Sequence, residues 1–91
     1  MGKFRVEIEA IAQEDFIKIY KSGDRSTIKR LEKILVELEN HPKVGIGHPE
    51  QLKHQLFGFW SRRINSKDRL IYEICEEPDN LVVIVSALGH Y

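Results

Sequence analysis

The chain has 91 residues, of which 42% are hydrophobic and 31% charged, and its formal net charge is zero. This length accommodates one small globular domain, residues 1–91, and the composition excludes a fibrous or disordered protein. A single cysteine excludes an internal disulfide and a multi-cysteine metal site, so we expect a reducing, cytoplasmic setting. No segment approaches the roughly 20 apolar residues of a membrane span, and we expect no membrane partner.

The first half of the sequence predicts a strand followed by two helices. "KFRVEIEAI" alternates apolar and charged residues, which is typical of a half-buried strand. "AQEDFIKIYKSG" predicts a short helix with acidic residues in its first turn and Gly23 as its C-terminal cap. "DRSTIKRLEKILVELENHP" predicts a second helix, because apolar residues recur at spacings of three and four, Asp24 or Ser26 can cap its start, and Pro42 stops it.

The second half predicts a long connection and then three strands. "KVGIGHPEQLKHQL" contains two glycines and a proline, and such loops often carry functional residues. "GFWSRRIN", "RLIYEICE" and "NLVVIVSAL" predict strands separated by the turn-like segments "SKD" and "EPD". The order is β-α-α-β-β-β, which predicts an α+β fold with a mainly antiparallel sheet and a helical hairpin packed on one of its faces.

Charge is distributed unevenly along the chain. Residues 1–41 are balanced, residues 42–72 carry an excess of four positive charges, and residues 73–91 carry four acidic residues and no basic one. This asymmetry is compatible with a polyanionic partner held at one face.

Several polar residues lie on or beside the apolar strands. Arg62 and Arg63 must face opposite sides of one strand, so one of them shares a side with core residues. Arg69 opens the next strand after a tight turn, and we expect it near Arg63 across the hairpin. Lys53 and Glu50 lie just upstream. A solvated sheet face with cross-strand charge pairs explains any single arginine as well as a functional role does, so both readings stay open.

Three of the residues supply the chemistry of metal-independent RNA cleavage. Glu50 offers a base, Arg69 a fixed cation and His90 an acid near neutral pH. A glutamate is a weak base unless burial raises its pKa, and nearby arginines act in the opposite direction. The four histidines and the cysteine show none of the usual ligand spacings, so we expect no metal and no other cofactor.

The segment "GIGHPEQLKHQLFGFWSRRINSKDRLIYEI", together with the terminal "HY", resembles the YoeB/Txe toxins of the RelE/ParE superfamily. The resemblance implies a RelE-like microbial RNase fold in which Glu50 is the general base and His90 the general acid. It further implies that Arg69 stabilises the transition-state phosphate. The remaining candidates for binding RNA or its phosphates are Arg63, Arg62, Lys53 and Tyr91, the last of which would orient or stack on the substrate base.

The same resemblance implies a toxin of a type II toxin–antitoxin module that cleaves mRNA in the ribosomal A site and so inhibits translation. Its expected partners are the 70S ribosome with its mRNA and an antitoxin of the YefM/Axe type, and toxin homodimers also occur in the family. Two alternatives stay open. One is a ParE-like toxin without nuclease activity, and the other is a weakly active toxin that works mainly as an antitoxin-bound co-repressor.

Overall fold

The computed structural model describes residues 3–89, which form two helices and five strands. The chain runs through β1 (Arg5–Ile8), α1 (Ala10–Ser22), α2 (Arg25–Leu38), β2 (Glu50–Gln51), β3 (Phe59–Arg63), β4 (Arg69–Cys75) and β5 (Leu81–Gly89), with a short 3-10 turn at His54–Leu56 between β2 and β3.

The five strands form one mixed sheet in the order β1-β5-β4-β3-β2. Strand β1 pairs with β5 in parallel, and the other three pairings are antiparallel. The two helices pack on this sheet, so the predicted α+β fold with a mainly antiparallel sheet is confirmed. The difference from the predicted strand order is β2, which lies inside the segment expected to be a connection. Two residues are too few to produce the alternating pattern by which a strand is recognised.

The helix boundaries follow the capping signals only in part. Gly23 ends α1 in the left-handed conformation, and the Asp24 side chain caps α2 by accepting from the Thr27 main-chain N–H at 3.2 Å. Acidic residues were expected in the first turn of α1, which is wrong because the helix begins earlier, at Ala10. Asp15 instead lies on the buried side of this helix, where its carboxylate accepts from the Ala87 main-chain N–H at 3.0 Å.

The core lies between the helices and one side of the sheet. Pairing in the β3–β4 hairpin puts Arg62 opposite Leu70 and Trp60 opposite Tyr72, while Arg63 lies opposite Arg69. Because side chains alternate along a strand, the first two pairs share the core side and the last pair belongs to the other side. The remaining buried members of the core come from both helices and the central strands: Ala12, Phe16, Ile19, Leu31, Ile34, Leu38, Ile64, Val82, Ile84 and Ala87.

Candidate active site

Glu50 and Arg69 meet at the end of the sheet although they are 19 residues apart in the chain. Glu50 begins β2 and pairs with Ser61 of β3, and Arg69 begins β4 on the other side of β3. A guanidinium nitrogen of Arg69 lies 3.4 Å from Oε1 of Glu50. The Glu50 side chain is 47% exposed and the Arg69 side chain is 20% exposed. The two charged groups are therefore adjacent and open to an incoming ligand.

Arg63 and Gly89 flank Arg69 in the sheet. Arg63 is its partner in β3 and Gly89 its partner in β5, so the expected proximity of Arg63 and Arg69 is confirmed. The turn between them is fixed by Asn65, whose side-chain oxygen accepts from two successive main-chain N–H groups at 2.9 and 2.7 Å. Arg63 is exposed, and its guanidinium has no protein partner within residues 3–89. Two arginines are therefore neighbours in the sheet where β3 and β5 end and β4 begins.

His48 is a further polar group at this place, and the sequence argument did not assign it to the site. Its Nε2 lies 4.0 Å from Oε2 of Glu50, and its side chain is 74% exposed. The residue adopts a φ of 55°, which is unusual for a residue with a side chain. Its place two residues before Glu50, inside the segment "GIGHPEQLKH", is a sequence signal that could have indicated it.

Arg62, expected among the phosphate contacts, is an internal residue. Its side chain is fully buried, and all five of its N–H donors are used within the protein. Nε donates to the Tyr72 hydroxyl at 3.1 Å and Nη1 donates to the Glu37 carboxylate at 2.6 Å. The other donors reach the main-chain oxygens of His41, Val44 and Ile46 at 2.6, 2.8 and 3.4 Å. The expectation that Arg62 binds RNA is therefore wrong, since no donor remains for a ligand.

The Arg62 network fixes the chain that leads to Glu50. Glu37 also accepts from the Ile46 main-chain N–H at 3.0 Å, and the Tyr72 hydroxyl donates to the Pro42 main-chain oxygen at 2.7 Å. Burial raises the pKa of the Tyr72 hydroxyl, although the neighbouring Arg62 acts in the opposite direction. Residues 41–46 are thereby held against the core without regular secondary structure of their own.

A close main-chain contact at Gly47 completes this connection. The Gly47 carbonyl accepts from the Arg63 N–H at 2.6 Å. A Cβ at Gly47 would lie 2.8 Å from the Arg63 carbonyl oxygen, and φ is +82° there. Glycine alone satisfies both conditions without strain. This contact brings the start of the His48–Glu50 segment alongside the end of β3, where Arg63 pairs with Arg69.

Comparison with known proteins decides the family. The sequence model of the family described as the YoeB-like toxin of bacterial type II toxin–antitoxin systems matches residues 9–91. The chain belongs to this family. It is 36% identical over 87 residues to Toxin YoeB of Streptomyces coelicolor, covering 96% of this chain and 99% of that protein.

Solved structures of YoeB toxins share the fold. The chain is similar to the Staphylococcus aureus YoeB dimer, with a TM-score of 0.79, 34% identity and coverage of 98% of this chain and 99% of the other. The chain is also similar to a YoeB–YefM complex from the same organism, with a TM-score of 0.77, 31% identity and coverage of 97% of this chain and 98% of the other. A YoeB/ParE toxin from Agrobacterium tumefaciens has a TM-score of 0.83 at 22% identity, with coverage of 97% of this chain and 100% of the other. This similarity concerns the fold alone.

The remaining expected site residues of this YoeB-like toxin are Lys53, His90 and Tyr91. Lys53 is exposed in the β2–β3 connection, where it precedes the 3-10 turn and lines a shallow cleft with His54 and Leu56. It is not part of the cluster around Glu50. The expectations for His90 and Tyr91 fall outside the described residues.

Within residues 3–89, no three histidine, cysteine, aspartate or glutamate side chains are grouped as metal ligands would be. Neither helix in this part of the chain has the length and apolar character needed to cross a membrane.

Proposed function

We propose that this YoeB-like toxin is a metal-independent, ribosome-dependent endoribonuclease that cleaves mRNA in the ribosomal A site. The observation that supports it best is the meeting of Glu50, Arg69 and Arg63 at one open end of the sheet. A carboxylate beside two cations provides a proton acceptor and a binding place for a phosphodiester. The family membership supports the same assignment.

The proposed reaction starts at the ribose 2′-hydroxyl. Glu50 accepts its proton while the 2′-oxygen attacks phosphorus, and the bond from phosphorus to the 5′-oxygen breaks. The products are a 2′,3′-cyclic phosphate and a 5′-hydroxyl, and His90 donates the proton that the leaving oxygen requires. Arg69 and Arg63 stabilise the negative charge that gathers on the phosphate oxygens. Tyr91 orients the base next to the scissile bond.

The half-exposed carboxylate of Glu50 supports the proposed dependence on the ribosome. Burial would strengthen a carboxylate base, but Glu50 is not buried in the isolated chain and lies against Arg69. Docking of the toxin on an mRNA held in the A site excludes water from this end of the sheet. The phosphate then competes with Glu50 for Arg69 and frees the carboxylate to accept a proton.

The C-terminal pairing supports the role of the acid. Gly89 pairs with Arg69 across β4 and β5, and His90 follows it in the chain. A general acid is required at the leaving oxygen, within a hydrogen bond of the same phosphate that the arginine binds.

The relatives also indicate the cellular partners of the proposed nuclease. One solved relative is a complex of YoeB with YefM and another is a YoeB dimer. We accordingly assign to this toxin a YefM-type antitoxin and a capacity to dimerise. Its place of action is the cytoplasm, because its proposed target is the translating ribosome.

The test is translation of a defined mRNA in a purified system, with cleavage mapped by primer extension. We expect cuts in phase with codons, and we expect them to disappear in Glu50→Gln and His90→Gln. Glu76→Gln is the matched control, since Glu76 also forms an exposed ion pair, with Lys43 at 3.3 Å, away from the cluster. Translation that continues while the message stays intact would refute the proposed nuclease. It would favour one of the two alternatives, a ParE-like toxin without nuclease activity or a weak toxin acting as a co-repressor.

A further inference from the structure

One flank of α2 carries an unpaired row of cations. The row consists of Lys29, Arg30 and Lys33, and Ser26 precedes it. Their spacings of three and four residues put all four on one side of the helix. The three cations are exposed, and within residues 3–89 none of them forms an ion pair. We call this row, Lys29, Arg30 and Lys33, the α2 basic flank.

The acidic residues of α2 lie elsewhere or are already neutralised. Glu32 is turned toward α1, where its carboxylate accepts from the Tyr20 hydroxyl at 3.3 Å. Glu37 lies one turn beyond Lys33, and its carboxylate is bound by the guanidinium of Arg62. The flank therefore keeps its full positive charge although the protein as a whole is neutral.

This arrangement does not serve the stability of the helix. Lys29 and Lys33 are one turn apart, and like charges at this spacing destabilise a helix. An ordinary solvated helix surface alternates the two signs, and an acid at either position would form a stabilising pair. A row of like charges on one exposed side of a helix is suited to an anionic ligand that neutralises it.

The flank borders two clefts, and the second of them reaches Arg63. A cleft of about 310 Å³ is lined by Ser26, Lys29, Arg30, Lys33 and Ile46. A second cleft of about 290 Å³ is lined by Arg30, Arg63, Asn65 and Ser66. Arg30 belongs to both clefts, and Arg63 pairs with Arg69 in the sheet. Basic residues therefore line the surface from the middle of α2 to Arg63, which is the strand partner of Arg69.

We propose that the α2 basic flank binds the phosphodiester backbone of the mRNA strand that is cut at the Glu50–Arg69 cluster. The inference rests on the proposed function and extends it by a second contact with the same strand. The continuity through Arg63 selects the substrate strand over a separate RNA. The contact is with phosphates and not with bases, because Lys29, Arg30 and Lys33 provide charges without an aromatic platform among them.

The test measures RNA binding without cleavage, so it is independent of the nuclease reaction. A 2′-O-methylated trinucleotide and nonanucleotide lack the attacking hydroxyl, and their affinities are measured by fluorescence anisotropy between about 50 and 200 mM salt. The variant is the triple substitution Lys29→Gln, Arg30→Gln, Lys33→Gln. The control removes three charges elsewhere, by Lys3→Gln, Arg5→Gln and Lys21→Gln, and circular dichroism verifies that both fold.

We expect the wild type to bind the longer RNA more tightly than the shorter one, and the α2 variant to lose this difference. Loss of three phosphate contacts should reduce the slope of log affinity against log salt by about 2, since each contact with a single strand contributes about 0.7. The control should keep both the slope and the length dependence within about twofold of the wild type.

Three outcomes would overturn the inference. One is a wild type whose affinity does not increase with RNA length. Another is an equal loss in the control variant, which would make net charge responsible. The third is unchanged binding of the longer RNA together with weaker binding to ribosomes, which would assign the flank to ribosomal RNA. Failure of the proposed nuclease is recognised separately, by absent cleavage in the translation assay with wild-type toxin.

Discussion

Replacement of Arg62 by methionine tests whether the buried guanidinium organises the chain before Glu50. Methionine fills a similar length of the core but donates no hydrogen bond. The change leaves the carboxylate of Glu37 and the main-chain oxygens of His41 and Val44 without the donors that now lie 2.6 to 2.8 Å away. Removal of one partner of a buried ion pair costs about 3–5 kcal/mol.

The structure places the expected loss toward the lower end of that range. The Glu37 side chain is 27% exposed, so water can reach part of its carboxylate. We therefore expect Arg62→Met to lower the free energy of unfolding by about 3 kcal/mol. Small domains have about 5–15 kcal/mol in total, so the variant should be close to the limit of folding. Arg62→Lys keeps the positive charge and three hydrogen-bond donors, so it should lose less stability than Arg62→Met.

The assay is urea unfolding followed by far-UV circular dichroism, for wild type, Arg62→Met, Glu37→Gln and the double variant. Because the two side chains share one network, the double variant should be more stable than the sum of the single losses predicts, by about 1–3 kcal/mol. A loss below about 1 kcal/mol in Arg62→Met would refute the reasoning. So would additive losses in the double variant. If Arg62→Met does not fold, the cycle is run with Arg62→Lys.

Further predictions concern backbone strain and pH. Gly47→Ala should lower the free energy of unfolding by about 2 kcal/mol or more, because φ is left-handed there and a main-chain carbonyl lies close to the added Cβ. Gly23→Ala, at φ +74° with open space around the added Cβ, should lower it by about 1 kcal/mol. The urea midpoints of the two variants provide the comparison. Burial raises the pKa of Tyr72, so its contribution to stability is present below the unfolded value of about 10 and is lost as pH rises through the folded value. Unfolding at pH 8 and pH 11 should show a smaller alkaline loss in Tyr72→Phe, and an equal loss would contradict this. Hydrogen bonds from Thr27 lower the pKa of Asp24, so its contribution is present above the unfolded value and is lost as pH falls through the lowered one. Thermal unfolding of Asp24→Asn between pH 2 and pH 6 should depend less on pH than that of the wild type.

Local sequence patterns were sufficient for most of the fold. The periodic leucines and isoleucines of α2 and the cap at Asp24 predict a helix that the structure confirms. The alternation in "FWSRRI" predicts that Arg62 and Arg63 face opposite sides, which the structure also shows. These signals depend only on neighbouring residues, because a helix or strand repeats its side-chain directions over a fixed short period.

Patterns could not decide which side each arginine takes. Arg62 is buried because Glu37, the hydroxyl of Tyr72 and the carbonyls of residues 41–46 converge on it from distant parts of the chain. The candidate site has the same limitation. Glu50 reaches Arg69 through β2, a strand of two residues that leaves no periodic signal, and His48 joins them only as part of that segment.

The sequence by itself determined the chain order of the main elements, their caps and, through the resemblance of one long motif, the family and the residues to consider. The tertiary structure decided which of those residues are available. It buried Arg62, left Arg63 and Arg69 as neighbours at the end of the sheet, and brought Arg30 of α2 to the same cleft as Arg63. The physical reason is that availability depends on the partners a charge meets across space. A chain of zero net charge therefore presents a basic row on α2, because the two acids of that helix contact Tyr20 and Arg62 instead.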